Sequence, residues 1–197
     1  MTSIPWTKGA GLRRDEDHSL VERALDGDPR AFAQLVAVHR DYVTRLAHRL
    51  LGWDPDIEDV VQEVFIRVWQ RRGQVREPTK FRGWLAAVTV NAARSRLRHK
   101  RVRRVLLLNF GQTASAAVCD ERIVGEMIER DETGRQVREA VNALPQRDKE
   151  VLVLRYLEQM TVEEVAGALG LRANAVEVRL HRARKRLADR LPKELRS

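Results

Sequence analysis

The sequence has very little cysteine: Cys119 is the only one in 197 residues. A single cysteine cannot form an internal disulfide, and no Cys/His spacing typical of a structural zinc site occurs. We therefore expect a protein of a reducing cytoplasm that holds no metal and needs no cofactor.

Long apolar runs are also missing. The first twenty residues contain no apolar core long enough for a signal peptide, and no later segment has the roughly 20 apolar residues of a membrane span. Strand-like alternation is absent throughout, whereas spacings of three and four residues recur. These patterns predict a soluble all-α protein with no membrane insertion.

Positive charge is in excess. The chain has 37 Lys and Arg residues against 28 Asp and Glu residues, a formal net charge of +9. A basic excess of this size suggests a polyanionic partner such as nucleic acid, and a highly charged solvated surface is the plainer alternative.

Helical periodicity divides the chain into two blocks. Asp28 followed by Pro29 favours a helix start, Gly52 favours its end, and Asp54 opens a second helix. A third helix is expected from about Gly83, and the periodicity fades beyond about residue 102. We predict two small helical domains joined by a flexible linker, with a mobile arm at 1–19, domains at 20–104 and 134–197, and the linker at 105–133.

The second domain contains the pattern of a helix-turn-helix. Thr161 and Glu164 have the spacing of a capping box, which starts a short helix. Gly170 can take the positive φ of a tight turn, and Asn174 with Glu177 has the spacing of a second capping box. A short helix, a glycine turn and a longer helix form this motif. A helical hairpin without DNA contacts is the alternative.

The longer helix has a basic outer face. In a helix-turn-helix the second helix enters the major groove, where its first residues meet base edges. Glu177 could accept from cytosine, although the cap is the favoured interpretation. We expect base contacts from Asn174, Ala175, Val178 and Arg179, and phosphate contacts from Arg182 and Arg186.

Three stretches of the sequence resemble the extracytoplasmic-function (ECF) group of bacterial sigma factors. They are DIEDVVQEVFIRVWQ (56–70), KFRGWLAAVTVNAARSRLRHKR (80–101) and LPQRDKEVLVLRYLEQMTVEEVAGALGLRANAVEVRLHRARKRL (144–187), and they occur in the family's order. The resemblance implies that the first domain binds the clamp of the largest subunit of core RNA polymerase and opens the minus-10 element. It implies that the second domain reads the minus-35 element of promoter DNA, and that an anti-sigma factor is a partner.

The second predicted helix has an acidic and amide face opposite its apolar stripe. The resemblance assigns polymerase binding to this face. An acidic helix start stabilised by the helix dipole is the alternative for the first of these residues. The predicted polymerase-binding residues are Asp56, Glu58, Asp59, Gln62, Glu63 and Gln70.

The third predicted helix combines aromatic and basic residues. Stacking on an aromatic side chain can return about 1 to 3 kcal/mol per base, which helps a protein to open the duplex. Trp84 begins an apolar stripe and could equally be a core residue. The resemblance assigns this segment to the minus-10 element, and the predicted contacts are Phe81, Trp84, Asn91, Arg94, Arg96, Arg98 and Arg101.

Two other functions fit parts of the sequence. A stand-alone repressor or activator would explain the helix-turn-helix but not the acidic face or the second basic segment. A metal-dependent nuclease would use Asp59 and Glu63 with His39 or His48, but no ligand set converges in the sequence and no phosphate-binding glycine loop occurs. We therefore expect a non-enzymatic initiation factor. Many ECF members have Gly-Thr-Val-Lys-Ser-Arg-Leu where this chain has residues 174–180, which leaves Arg179 as the favoured base reader.

Overall fold

A computed structural model describes residues 14–52, 54–75, 77–109 and 132–192, and these residues contain helices and no strands. The prediction of an all-α fold is confirmed. Short 3-10 turns occur at Arg72–Gln74 and Pro78–Lys80, and a π-helical segment spans Val153–Leu157. The α-helices are α1 (Arg14–Leu25), α2 (Pro29–Leu51), α3 (Ile57–Gln70), α4 (Phe81–Asn109), α5 (Glu132–Asn142), α6 (Gln146–Leu152), α7 (Val162–Leu169) and α8 (Ala173–Arg190).

The start of α2 follows its sequence signal. The Asp28 carboxylate accepts hydrogen bonds from the backbone N–H groups of Arg30 at 2.8 Å and Ala31 at 3.2 Å. A hydrogen bond from Arg23, together with these two, lowers the pKa of Asp28. Gly52 ends the helix at a φ of 72°, a conformation that a side chain would strain.

Two helices extend past the boundaries that the sequence suggested. Helix α1 begins at Arg14, inside the segment expected to be a mobile arm, and its Val21 and Ala24 are buried. Helix α4 continues to Asn109, past the expected end of the first domain at residue 104. The rest of the arm and most of the linker, including Cys119, lie outside the described residues.

Helices α1 to α4 enclose the first apolar core. Helix α2 contacts α1, α3 and α4, and therefore lies at the centre of this bundle. In each helix of the bundle, the buried residues recur at the three- and four-residue steps that the sequence shows. Its fully buried residues include Leu35, Val43, Val61, Val64, Val68 and Leu85.

A second apolar core joins the two halves of the chain. It contains Leu46 and Leu50 from α2 and Val90 from α4, together with buried residues of the C-terminal helices. Helix α4 packs against α7, and α6 packs against α8. The C-terminal helices and the turn before them contribute these residues to the second core: Leu144, Val151, Leu154, Val165, Val176, Leu180 and Ala183.

Candidate nucleic-acid and polymerase interfaces

The helix-turn-helix forms between α7 and α8. The Thr161 N–H donates to Glu164 Oε2 at 2.7 Å, and the Glu164 N–H donates to Thr161 Oγ1 at 3.2 Å. These reciprocal bonds are the predicted capping box. Gly170 ends α7 in the left-handed region at a φ of 66°, as the turn requires.

The second predicted capping box is wrong. Helix α8 begins one residue before Asn174, and its N-cap is Arg172, which makes no side-chain capping bond. Arg172 has the extended backbone of a cap, whereas Asn174 is already inside the first turn. Asn174 and Glu177 are both exposed. The reason for preferring Glu177 as a cap over a base reader is therefore removed.

The first turns of α8 present the predicted minus-35 residues to solvent. Val178 is 51% exposed. Arg179 is half-buried, and Arg186 pairs with the buried carboxylate of Asp148 on α6. The remaining predicted contacts, at Asn174, Ala175 and Arg182, are exposed.

The predicted minus-10 arginines on α4 fall into two groups. Asn91, Arg98 and Arg101 are exposed. Arg94 donates two hydrogen bonds to Glu150, and Arg96 pairs with Asp54 and Asp56. Spacing placed these residues on the same basic helix, but it did not indicate which of them have internal acidic partners.

The two predicted aromatic contacts differ in accessibility. Phe81 is only 2% exposed, with its ring centroid 5.2 Å from that of His39 and 6.1 Å from that of Trp84. The prediction that Phe81 meets a minus-10 base needs correction, because a ring buried in the first core has no free face for stacking. Trp84 is half-buried at the edge of the same core.

The predicted polymerase-binding residues lie along one side of α3. Asp56 is half-buried and pairs with Arg96 of α4, although 42% of its side chain stays exposed. Glu58 pairs with Arg40 of α2, and Glu63 pairs with Arg67 at 2.5 Å within α3. The exposed members of the set are Glu58, Asp59, Gln62, Glu63 and Gln70.

An apolar groove lies between α2 and α3, beside these polar residues. Ile66 is 48% exposed there, and Phe32 meets Trp69 with ring centroids 4.8 Å apart. The Arg72 guanidinium lies 4.3 Å from the Trp69 ring centre. The sequence pattern did not predict this groove. The sequence feature that could have revealed the groove is Ile66, an apolar residue on an otherwise polar face of α3.

The described residues contain neither a candidate metal site nor a membrane-spanning helix. Among them, no three His, Cys, Asp or Glu side chains are grouped so as to hold a metal ion. No helix in the same ranges has the length and apolar character needed to cross a membrane.

Comparison with known proteins identifies the family. Residues 35–103 match Sigma-70 region 2, and residues 134–187 match Sigma-70, region 4. The chain is 32% identical over 178 residues to the RNA polymerase sigma factor CnrH of Cupriavidus metallidurans, an alignment that covers 88% of this chain and 93% of CnrH. It is 26% identical over 176 residues to the ECF RNA polymerase sigma factor SigW of Bacillus subtilis, covering 87% and 94%. The chain belongs to the ECF sigma factors.

Two more comparisons bear on this sigma factor. It is 33% identical over 178 residues to the probable RNA polymerase sigma factor RfaY of Xanthomonas campestris, but spans only 44% of the length of RfaY. Its fold is similar to that of CnrH, which was solved in complex with the cytosolic domain of CnrY. The TM-score is 0.61 and the sequence identity is 29%, and the match covers 88% of this chain and 95% of the CnrH chain.

Family membership assigns the two halves of the chain to Sigma-70 regions 2 and 4. As a sigma factor, the chain binds core RNA polymerase and directs it to promoters. Region 2 covers most of α2, all of α3 and most of α4, and region 4 runs from Gly134 in α5 to Leu187 in α8. The stand-alone regulator leaves region 2 unexplained. Sigma factors are a family of non-enzymatic proteins, which also argues against the nuclease.

Proposed function

We propose that this sigma factor binds core polymerase through the groove between α2 and α3, and contacts promoter DNA with α4 and the first half of α8. The observation that carries the proposal is the exposed Ile66, which lies within the polar face of α3. Ile66 continues the apolar lining of the groove formed by Phe32, Val36 and Trp69, and a contiguous exposed apolar patch is typical of a protein–protein contact.

The groove suggests the chemistry of the polymerase surface. Phe32, Val36 and Trp69 offer an apolar wall. Asp59 offers negative charge at its rim, where Glu58 is already paired with Arg40. A helical segment with an apolar stripe flanked by basic side chains suits this combination. We assign the groove to the clamp of the largest polymerase subunit, with Gln62, Glu63 and Gln70 at its polar edge.

Helix α8 is proposed to read the minus-35 element. Its exposed residues Asn174, Ala175 and Val178 stand at the end that enters the major groove in helix-turn-helix proteins. Arg179 follows them, and an arginine can donate two hydrogen bonds to one guanine. Arg182 is proposed to hold a phosphate. Arg186 has its own partner in Asp148, so its contribution requires that this ion pair opens.

Helix α4 is proposed to hold the minus-10 strand. Asn91, Arg98 and Arg101 are exposed on it, and Trp84 stands near its start. Arg94 and Arg96 belong to the same surface but hold acidic partners. Phe81 is left out, because it supports the helix from the core.

An anti-sigma factor is proposed as a further partner. CnrH, to which this chain is similar over nearly its whole length, was solved in complex with the cytosolic domain of CnrY. A protein that covers the polymerase and promoter surfaces would hold this sigma factor inactive. The function needs no cofactor, and the site of action is the cytoplasm, where polymerase and DNA are.

Transcription with purified components tests the proposal. The sigma factor is mixed with core polymerase and a promoter library, and promoter-dependent transcripts are expected. The double variant Asp59→Lys with Glu63→Lys should lose core association in a pull-down. A double variant with the same charge change at the exposed Glu22 and Glu139 is the control. Core association at the wild-type level in the first double variant contradicts the assignment of the groove.

The same assay distinguishes an initiation factor from the alternative, a stand-alone regulator. A stand-alone regulator binds its DNA site tightly without core polymerase and produces no promoter-dependent transcripts. Specific binding by the free protein, with no effect on transcription, would favour that function over initiation.

A further inference from the structure

Glu177 is an exposed acidic residue on the basic helix α8. Its side chain makes no hydrogen bond or ion pair within the part of the chain that the structure describes. Other carboxylates of the same half are engaged: Asp148 pairs with Arg186, and Glu164 closes the capping box of α7. The carboxylate of Glu177 is therefore available to a ligand.

The carboxylate of Glu177 does not stabilise the start of α8. Arg172 is the N-cap, Ala173 is the first helical residue, and the first turn contains no acidic residue. The attraction between a carboxylate and the helix dipole falls off within the first turn. Glu177 comes after that turn, so the stability of the helix does not account for an acidic residue at this position.

Glu177 belongs to an exposed patch on the first two turns of α8. Side chains three and four positions apart are neighbours on a helix, so Glu177 lies beside Asn174 and His181, and Val178 lies beside the same two residues. All four are exposed. The patch is in the part of the helix that enters the major groove in helix-turn-helix proteins. The buried stripe of α8 consists of other residues: Val176, Leu180 and Ala183.

A carboxylate in the major groove has few favourable contacts. It can only accept hydrogen bonds, and the phosphates of DNA repel it. Guanine presents the acceptors O6 and N7 in this groove, and thymine presents the acceptor O4. Adenine has an amino group beside the acceptor N7, whereas cytosine offers its N4 amino group. Cytosine is therefore the base that best suits the carboxylate of Glu177.

Basic residues of the same helix offset the repulsion between Glu177 and the phosphates. Arg182 and Lys185 are exposed on the following turns of α8. Phosphate contacts from such side chains position a protein on DNA of any sequence, and contacts with base edges distinguish one sequence from another. An acidic residue in this setting contributes selectivity rather than affinity.

We propose that Glu177 selects a cytosine in the minus-35 element, by accepting a hydrogen bond from the N4 amino group of that base. This inference deepens the proposed assignment of α8 to the minus-35 element and rests on it. Glu177 disfavours guanine and thymine at the same position, because their acceptor atoms face its carboxylate.

Selection from a DNA library tests the role of Glu177. The library carries random bases in the minus-35 segment of a promoter that the wild-type holoenzyme transcribes. DNA bound by the holoenzyme is recovered and sequenced, which gives the base preference at each position. The wild-type holoenzyme should prefer cytosine at one position, and a different base there should lower the affinity by about tenfold, as a single mismatched base pair does.

Two variants of Glu177 give the decisive comparison. Glu177→Ala removes the acceptor and should lose the preference at the cytosine position, with the other positions unchanged. Glu177→Gln should prefer adenine at that position, because a side-chain amide bonds both N6 and N7 of adenine. Glu22→Gln makes the same charge change at an exposed position on α1, and it should select the same DNA as the wild type.

Three outcomes would overturn the role of Glu177. They are a wild-type preference for other bases without a cytosine, recovery of the wild-type sequence by both Glu177 variants, and an equal gain in affinity of both variants for every library member. The last result is expected of a carboxylate that only repels phosphates. A wild-type holoenzyme that transcribes from the promoter but shows no base preference anywhere in the minus-35 segment contradicts the proposed function of α8 itself.

Discussion

Asp54 and Lys100 form an ion pair with 2.6 Å between Oδ2 and Nζ. The Asp54 side chain is 1% exposed, and it also lies 3.4 Å from Arg96 Nη2 and accepts the Asp56 N–H at 3.1 Å. A single buried carboxylate therefore joins the start of α3 to the basic helix α4. It holds two cations of α4, Arg96 and Lys100.

Changing Asp54 to Asn should destabilise region 2. The buried carboxylate accepts charge-assisted hydrogen bonds, and its neutral replacement leaves them weakened, at a cost of about 2 kcal/mol in the free energy of unfolding. Urea unfolding followed by circular dichroism measures the change. Glu77→Gln, which removes an exposed ion pair with Lys80, is the control and should change little. Equal losses in the two variants would argue against a structural role for the Asp54 site.

Changing Arg179 to Ala should weaken minus-35 recognition. Loss of one bidentate base contact costs about 1 to 3 kcal/mol, or roughly a tenfold to hundredfold loss of affinity. Polymerase carrying the variant should bind promoters with and without the minus-35 element almost equally. Core association should be unchanged. Arg184→Ala, exposed on the same helix, is the matched control. If it reduces discrimination as strongly, Arg179 is not the base reader.

Changing Arg182 to Ala should affect the salt dependence of DNA binding rather than the sequence preference. A lost phosphate contact weakens binding to all sequences alike and reduces the slope of log affinity against log salt by about one. Titrations of holoenzyme on minus-35 DNA at several salt concentrations measure this slope. A change in sequence preference without a change in slope would mean that Arg182 contacts a base.

Changing Ile66 to Lys should reduce the affinity for core polymerase by at least about tenfold, because it places a charge in an apolar contact. Val38→Lys makes the same change at an exposed valine of α2 that does not line the groove. Core binding measured by competition with the wild-type protein should separate the two variants. A similar affinity for both would show that the groove is not the polymerase contact.

Changing Lys149 to Met should stabilise the protein at neutral pH. Burial lowers the pKa of Lys149 below its ordinary value of 10.5, so the native state holds this proton less tightly than the unfolded chain. The penalty is present below the lowered pKa and disappears as pH rises toward 10.5. The melting temperature should rise by a few degrees at pH 7, and this gain should shrink in alkaline buffer. Lys185→Met, at an exposed position, is the control and should not change the melting temperature. A rise in melting temperature of Lys149→Met that does not depend on pH would contradict the role of the buried Lys149 charge.

Local signals in the sequence predicted local structure well. The cap at Asp28, the capping box at Thr161 and the glycine turn at Gly170 depend on residues within a few positions, so their spacing is sufficient. The cap expected at Asn174 failed because Arg172 takes the extended backbone first. A difference of this size is within the usual uncertainty of helix ends.

The partners of the site residues could not be predicted in the same way. Periodicity shows which residues share a helix face, but not which neighbouring helix covers that face. Phe81 is buried because α2 lies against it, and Arg96 is neutralised by Asp54, which is 42 positions away. The groove at Ile66 likewise needs two helices. These features follow from packing between distant segments.

The core shared by α2, α4 and the C-terminal helices also affects the solubility of the free protein. Separating the halves exposes part of the apolar surface around Leu50 and Val90, and exposed apolar surface promotes aggregation. The C-terminal helices cover this apolar surface in the structure. Chains with a truncated C-terminal half should consequently precipitate at concentrations at which the full chain stays dispersed.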